Sequence, residues 1–202
     1  MIYLFQIIVL VFSAIIHEYM HGFAAERGGD NTAKAMGRLT LNPIPHIDLF
    51  GSIILPLLMI VSGTGIVFGW AKPVPFNPYN LRDQKYGPAK VALAGPLGNF
   101  ILAVMFSLVL RFMPGLDSTL ASFLGVIVYI NLMLMVFNLL PIPPLDGSKI
   151  LAAFLPAKIQ LKFLELERYG LLLVLFFVLF ASNVITPVIA GLFWLLTGYN
   201  LF

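Results

Sequence analysis

Cysteine is absent from the 202 residues. That excludes a disulfide framework and thiolate ligands, so any bound metal must be held by imidazole and carboxylate. Charge is also scarce. Only 10% of the residues are Asp, Glu, Lys or Arg, against about a quarter in soluble globular chains, and there are three histidines. No low-complexity tract, internal repeat or polar stretch large enough for a soluble domain is present. What abounds is apolar: 60% of the residues are hydrophobic and the mean hydropathy is +0.97. The chain reads as an integral membrane protein, with a single membrane-embedded domain over residues 1–202. Its net charge of +3 reflects loop bias, and no nucleic-acid partner is expected. The first apolar run lacks a basic n-region and carries chemistry, so it does not read as a cleaved signal peptide.

Apolar segments occupy 2–25, 49–70, 88–112, 118–140 and 170–197. The first is long enough to cross a ~30 Å hydrocarbon core. The second is broken by Pro56 and by Gly63-Thr64-Gly65, and the last by Asn183 and Pro187, making the last either one kinked span or two short ones. Residues 71–87 form a polar, proline-rich connection, and 148–169 a mixed, amphipathic interfacial piece. The expected fold is an all-α polytopic bundle of about four to six transmembrane segments, with a re-entrant segment and short edge strands. If 49–70 is re-entrant, segments 2–25 and 118–140 run parallel. Eleven of the twelve Lys and Arg residues then fall on one side, with Arg111 alone on the other. Such a bias marks the cytoplasmic side.

The polar exception within the first segment is HEYMH, residues 17–21. Positions i and i+4 share a helix face, so His17 and His21 can aim at one point. Two neutral imidazoles supply half of a tetrahedral zinc shell, and Glu18 can take a proton from a water that the metal activates. Two of the three histidines fall in this motif, and ionisable groups inside a membrane span are costly and functional by default. At about 1.5 Å per residue, His17 lies roughly 22 Å along the segment, near its exit face. A catalytic zinc needs a third protein ligand. His46 and the acidic residues are the candidates, and His46 reads better as an interfacial loop residue. Asp146 stands out at the end of NLLPIPPLDG, residues 138–147. Pro141, Pro143 and Pro144 stop a helix there, so an unwound stretch can turn the carboxylate inward. An Asp-Gly pair taken alone reads as a surface turn.

HEYMH at 17–21, GPLGN at 95–99 and NLLPIPPLDG at 138–147 together resemble the signatures of the site-2 protease family of intramembrane zinc metalloproteases. GRLTLNP and GWAKPVPFNPYN resemble its small bacterial and archaeal members. The resemblance implies one zinc per chain held by His17, His21 and Asp146, with Glu18 as general base. It also implies a cytoplasm-facing site in a multi-pass prokaryotic membrane protein, and single-pass transmembrane substrates within the bilayer. Asn99 and Asn138 match the family's asparagines. An amide there can donate to a developing oxyanion or hold substrate backbone, or it can satisfy carbonyls where a helix is broken. Larger members carry PDZ or CBS domains, for which this sequence has no room. A helical peptide bond is shielded, so a substrate must unwind, and AKPVP (71–75) or RLTL (38–41) offers an edge strand to receive it. The rival reading is a metal-binding or zinc-transporting membrane protein without hydrolytic activity. A transporter needs a polar path on both sides, and the half carrying only Arg111 is nearly devoid of ionisable groups.

Overall fold

Neither proline nor glycine interrupts residues 2–21, and the chain winds there into α1, Ile2–Gly28, which runs past the expected end at residue 25. Arg27 closes it, a favourable place for a cation at the negative end of the helix dipole, and lies 5.0 Å over the Phe23 ring. The computed structural model describes residues 2–54, 57–58, 61, 72–113, 115–180 and 182–200. After a short α2, Thr32–Ala35, come a 3₁₀ turn at Ile44–His46 and a π-helical turn at Leu49–Ile54. Most of the segment expected to be re-entrant lies outside the described residues.

Helix α3, Gly87–Phe112, opens with Pro88, where a missing N–H is harmless. It buries mainly small residues, among them Ala89, Ala92, Gly95, Gly98 and Ala103. Leu93, Leu97, Ile101, Met105 and Leu108 face outward. Small inside and large outside suits a medium as apolar as the core, where helices associate by close packing. At Gly98 a Cβ would come within 2.7 Å of Met20 Cγ, so α1 and α3 touch there only because glycine is present. Helix α4, Ser118–Asn138, is capped by Asp117, which accepts from the Thr119 and Leu120 N–H groups. These three long helices have the length and composition to cross a membrane.

Contacts fix their directions. Along α1, Phe5 meets Phe123, Val9 packs on Val126 and Ile130, and His17 meets Asp146 just beyond α4. The numbers rise together, so α1 and α4 are parallel. Along α3 they fall: Val91 meets His21 and Asn99 meets Ser13. The parallel arrangement that the charge pattern called for is therefore the one observed. A buried cluster of Ala103, Leu110, Leu124, Val128, Leu132, Met135, Ile189 and Phe193 joins α3 and α4 to the last helix.

The region 148–169 resolves into α5, Asp146–Ala152, α6, Ala157–Leu164, and a 3₁₀ turn, Glu165–Tyr169. The last apolar segment is helical over Gly170–Phe180 (α7) and Ser182–Thr197 (α8), and residue 181 between them lies outside the described residues. Gly170 lies against the Pro144 ring, while Arg111 donates to the Leu195 carbonyl at the far end of α8. The stretch thus begins at the Asp146 end of the bundle and finishes at the other.

The expected edge strands do not form among the described residues. Residues 72–77 form neither helix nor strand, and side chains hold their backbone groups. Arg38 donates to the Lys72 and Pro73 carbonyls, and the Val74 N–H donates to Glu18. Pro73 and Pro75 have no N–H to offer.

Candidate metal centre

Helical spacing puts His17 and His21 one turn apart, their rings edge to face at 4.6 Å between centroids. Their Nε2 atoms are 3.0 Å apart. Asp146 is delivered from α4 by the proline stretch, through tight turns at Ile142 and Leu145, and becomes the first residue of α5. Its Oδ2 lies 3.1 Å from His17 Nε2 and 3.2 Å from His21 Nε2. Among the described residues this is the one group of three such side chains close enough to share an ion.

The opposite ring nitrogens show what these atoms are for. His17 Nδ1 is 2.7 Å from Asn99 Oδ1, and His21 Nδ1 is 2.7 Å from the Val91 carbonyl. Both partners are oxygens, so each Nδ1 donates, and in the neutral rings each Nε2 presents a lone pair. Two lone pairs and a carboxylate oxygen then converge at 3.0–3.2 Å, a repulsive arrangement unless a cation sits among them. Bonds of about 2.0–2.1 Å to a tetrahedral zinc give ligand–ligand edges of about 3.3 Å, close to the separations seen. Gly95 of α3 faces the same point. A Cβ there would fall 2.5 Å from His21 Nε2 and 2.6 Å from His17 Nε2, filling the space an ion needs. The donor set fits zinc, with each imidazole oriented by a hydrogen bond behind it.

Glu18 follows His17 on α1, and its Oε2 accepts from the Val74 N–H at 2.8 Å. That connection is fastened again at Asp30. The buried Asp30 carboxylate accepts from the Asn77 N–H at 2.7 Å, from Asn80 Nδ2 at 2.9 Å, and from the Thr32 N–H and hydroxyl. Burial pushes the Asp30 carboxyl up, but these hydrogen bonds outweigh it and hold the group below its ordinary value. His46 is a loop residue, as expected, and stands apart from the centre. It is buried within the loop, with Nε2 donating to the Thr40 carbonyl and its own carbonyl accepting from the Lys72 N–H.

Residues 114–181 match peptidase family M50. A Bacillus subtilis protein provisionally named zinc metalloprotease YwhC is 39% identical over 198 residues, spanning 94% of this chain and 84% of its own length. The chain belongs to peptidase family M50. Rip2 of Mycolicibacterium smegmatis, also provisionally named a zinc metalloprotease, is 34% identical to the M50 chain over 164 residues, 80% of this chain and 61% of Rip2. MJ0611 of Methanocaldococcus jannaschii, similarly named, is 45% identical over 92 residues, 43% of this chain and 46% of its own. The chain therefore spans less than two thirds of the last two relatives. No solved structure matches it significantly.

Of the two readings open for the asparagines of the M50 chain, the structure shows carbonyl bonding at both. Asn99 reaches the centre, but as the acceptor behind His17. Its amide hydrogens are directed to the Ser13 carbonyl at 3.1 Å and Asn131 Oδ1 at 3.0 Å, so none remains for an oxyanion. Asn138 donates to the Leu134 carbonyl of its own helix at 2.9 Å. The residue that sequence reasoning missed is Asn131, wholly buried, with Nδ2 donating to the Ile127 carbonyl at 2.9 Å. A signal existed, because an amide in the middle of an apolar span needs a partner. Nothing in the sequence says that the partner is the amide behind His17.

Proposed function

We propose that this M50 peptidase is an intramembrane zinc endopeptidase that cuts the membrane-spanning segments of single-pass proteins, working as one membrane-embedded unit. The observation that carries the reading is the convergence of His17, His21 and Asp146 at 3.0–3.2 Å, with Glu18 beside them, at one end of an apolar helix bundle.

His17 and His21 bind through Nε2 and Asp146 through a carboxylate oxygen. Zinc held there supplies Lewis acidity, polarising a carbonyl and drawing the pKa of a water down to about 7. Glu18 accepts the proton of the attacking water and returns it to the leaving amine. Asn99 keeps His17 in the tautomer that presents Nε2. Substrate has to arrive unwound, because a helical carbonyl is already hydrogen-bonded. The 72–77 connection is bonded to Glu18 through the Val74 N–H and suits guiding such a chain, once the arriving backbone displaces Arg38 from the Lys72 and Pro73 carbonyls. Basic residues other than Arg111 belong to helix ends and connections at the metal end of the bundle, which supports a cytoplasmic opening in a cell membrane.

Glu18→Gln tests the reading. The purified variant retains one zinc per chain, and its cleavage of a single-pass test protein in vesicles falls by roughly 10²–10⁴. Cleavage at the wild-type rate removes Glu18 from the mechanism. Zinc-loaded wild type that cuts nothing but passes zinc across the vesicle wall replaces the protease with a transporter.

A further inference from the structure

The buried amides behind His17 form a chain with a direction. Asn131 and Asn99 are each completely buried, on α4 and α3, and the chain ends on α1. Asn131 Nδ2 donates to the Ile127 carbonyl, Asn131 Oδ1 accepts from Asn99 Nδ2, and Asn99 Oδ1 accepts from His17 Nδ1. Which end of an amide is oxygen is assigned by its hydrogen-bond partners, and here the partners leave one solution. The carbonyls of Ile127 and Ser13 can only accept. Turning Asn131 over would set its oxygen against the Ile127 oxygen. Turning Asn99 over would set its oxygen against both Ser13 O and Asn131 Oδ1. The same turn would offer His17 Nδ1 a donor, moving the imidazole proton to Nε2, where it blocks a metal.

From this geometry we infer that Asn131 is a positioning residue for the metal centre, locking the Asn99 amide and through it the metal-binding tautomer of His17. The inference rests on the zinc reading of His17, His21 and Asp146. Ser13 alone restrains one Asn99 hydrogen. Asn131 restrains the other, and in a low-dielectric interior the linked dipoles strengthen one another. A residue that merely joins α3 to α4 would stabilise the bundle without favouring one His17 tautomer.

The test is zinc affinity by chelator competition on the zinc-loaded full chain in detergent, with thermal unfolding in parallel. Three variants serve: Asn131→Leu, Asn131→Ser and Asn131→Asp. Leucine removes the amide. Serine keeps a hydroxyl that bonds to the Ile127 carbonyl but is too short for Asn99, so it serves if the leucine variant does not fold. A protonated aspartic acid is isosteric, donating to Ile127 O and accepting from Asn99. The expected result is zinc binding weaker by about 10–100-fold in the leucine and serine variants, and restoration towards the wild-type value in the aspartate variant. A folded serine or leucine variant that holds zinc as tightly as wild type, with only its unfolding midpoint lowered, reduces Asn131 to helix packing and overturns the inference. Equal weakening in all three variants overturns it too. Wild type that binds no zinc is a separate result, sinking the reading of the site itself.

Discussion

At the scale of single residues, the centre depends as much on a missing side chain as on its ligands. Gly95 leaves open the space that a methyl group would take from the ion. Overpacking of this kind costs about 1–3 kcal/mol, so Gly95→Ala is expected to weaken zinc binding by roughly tenfold or more, measured by metal analysis after dialysis against a graded chelator. Asp30 makes a different prediction. Its carboxylate gathers four hydrogen bonds from Thr32, Asn77 and Asn80, and Asp30→Ala should lower stability near neutral pH by on the order of 2–3 kcal/mol. The folded carboxyl sits below its ordinary value, so this contribution is complete above the unfolded pKa of about 4. It disappears as pH falls through the lower folded value. Unfolding midpoints of the two proteins should therefore converge in acid. A constant gap down to the lowest pH would mean that the carboxylate charge is irrelevant. The two candidate ligands on α1 were legible in the sequence, since His17 and His21 lie one helical turn apart in an apolar run with Glu18 beside them. Asn131 was not, because a lone amide looks the same whether it bonds only its own helix, as Asn138 does, or also a partner on the neighbouring helix.

At the scale of elements, helices could be read and connections could not. Length, hydropathy and prolines located α1, α3 and α4 to within a few residues. Yet the stretch AKPVP (71–75), with RLTL (38–41) the alternative, was expected to offer an edge strand, and residues 72–77 form none. The bonds that keep it from being one come from Arg38 and Glu18, side chains remote in sequence that no local pattern reveals. Among its attachments, Val74 to Glu18 and Asn77 to Asp30 tie it to acidic side chains at the metal end. Replacing residues 72–75 with a flexible Gly-Ser linker of equal length should leave zinc content unchanged, because no metal ligand is touched, while cleavage of a single-pass substrate falls by roughly tenfold or more, the order lost when positioning fails. Undiminished cleavage by a folded, zinc-loaded variant would free this segment from any part in presenting substrate.

At the scale of the whole molecule, the direction of every long helix follows from which numbers meet, and it agrees with the lopsided distribution of Lys and Arg. The two ends of the bundle are consequently chemically unlike, and the lack of native cysteine makes them separately addressable. A single cysteine replacing Gln84, exposed at the metal end, should react with an impermeant maleimide only when the cytoplasmic side is open. One replacing Ser118, exposed at the other end, should react from outside in intact cells. The reverse pattern would invert the proposed orientation.

The hydrogen bonds behind the two imidazoles carry one more implication. Because Asn99 and Val91 receive the Nδ1 protons, both rings enter the coordination sphere uncharged, and the formal charge there comes from Asp146 and neighbouring Glu18 alone. Two negative charges in a low-dielectric surrounding are costly, and an ion of charge two neutralises them. A monovalent ion would leave a surplus of one sign and a trivalent ion of the other, so valence itself becomes a filter. It adds to size and ligand softness in selecting the ion.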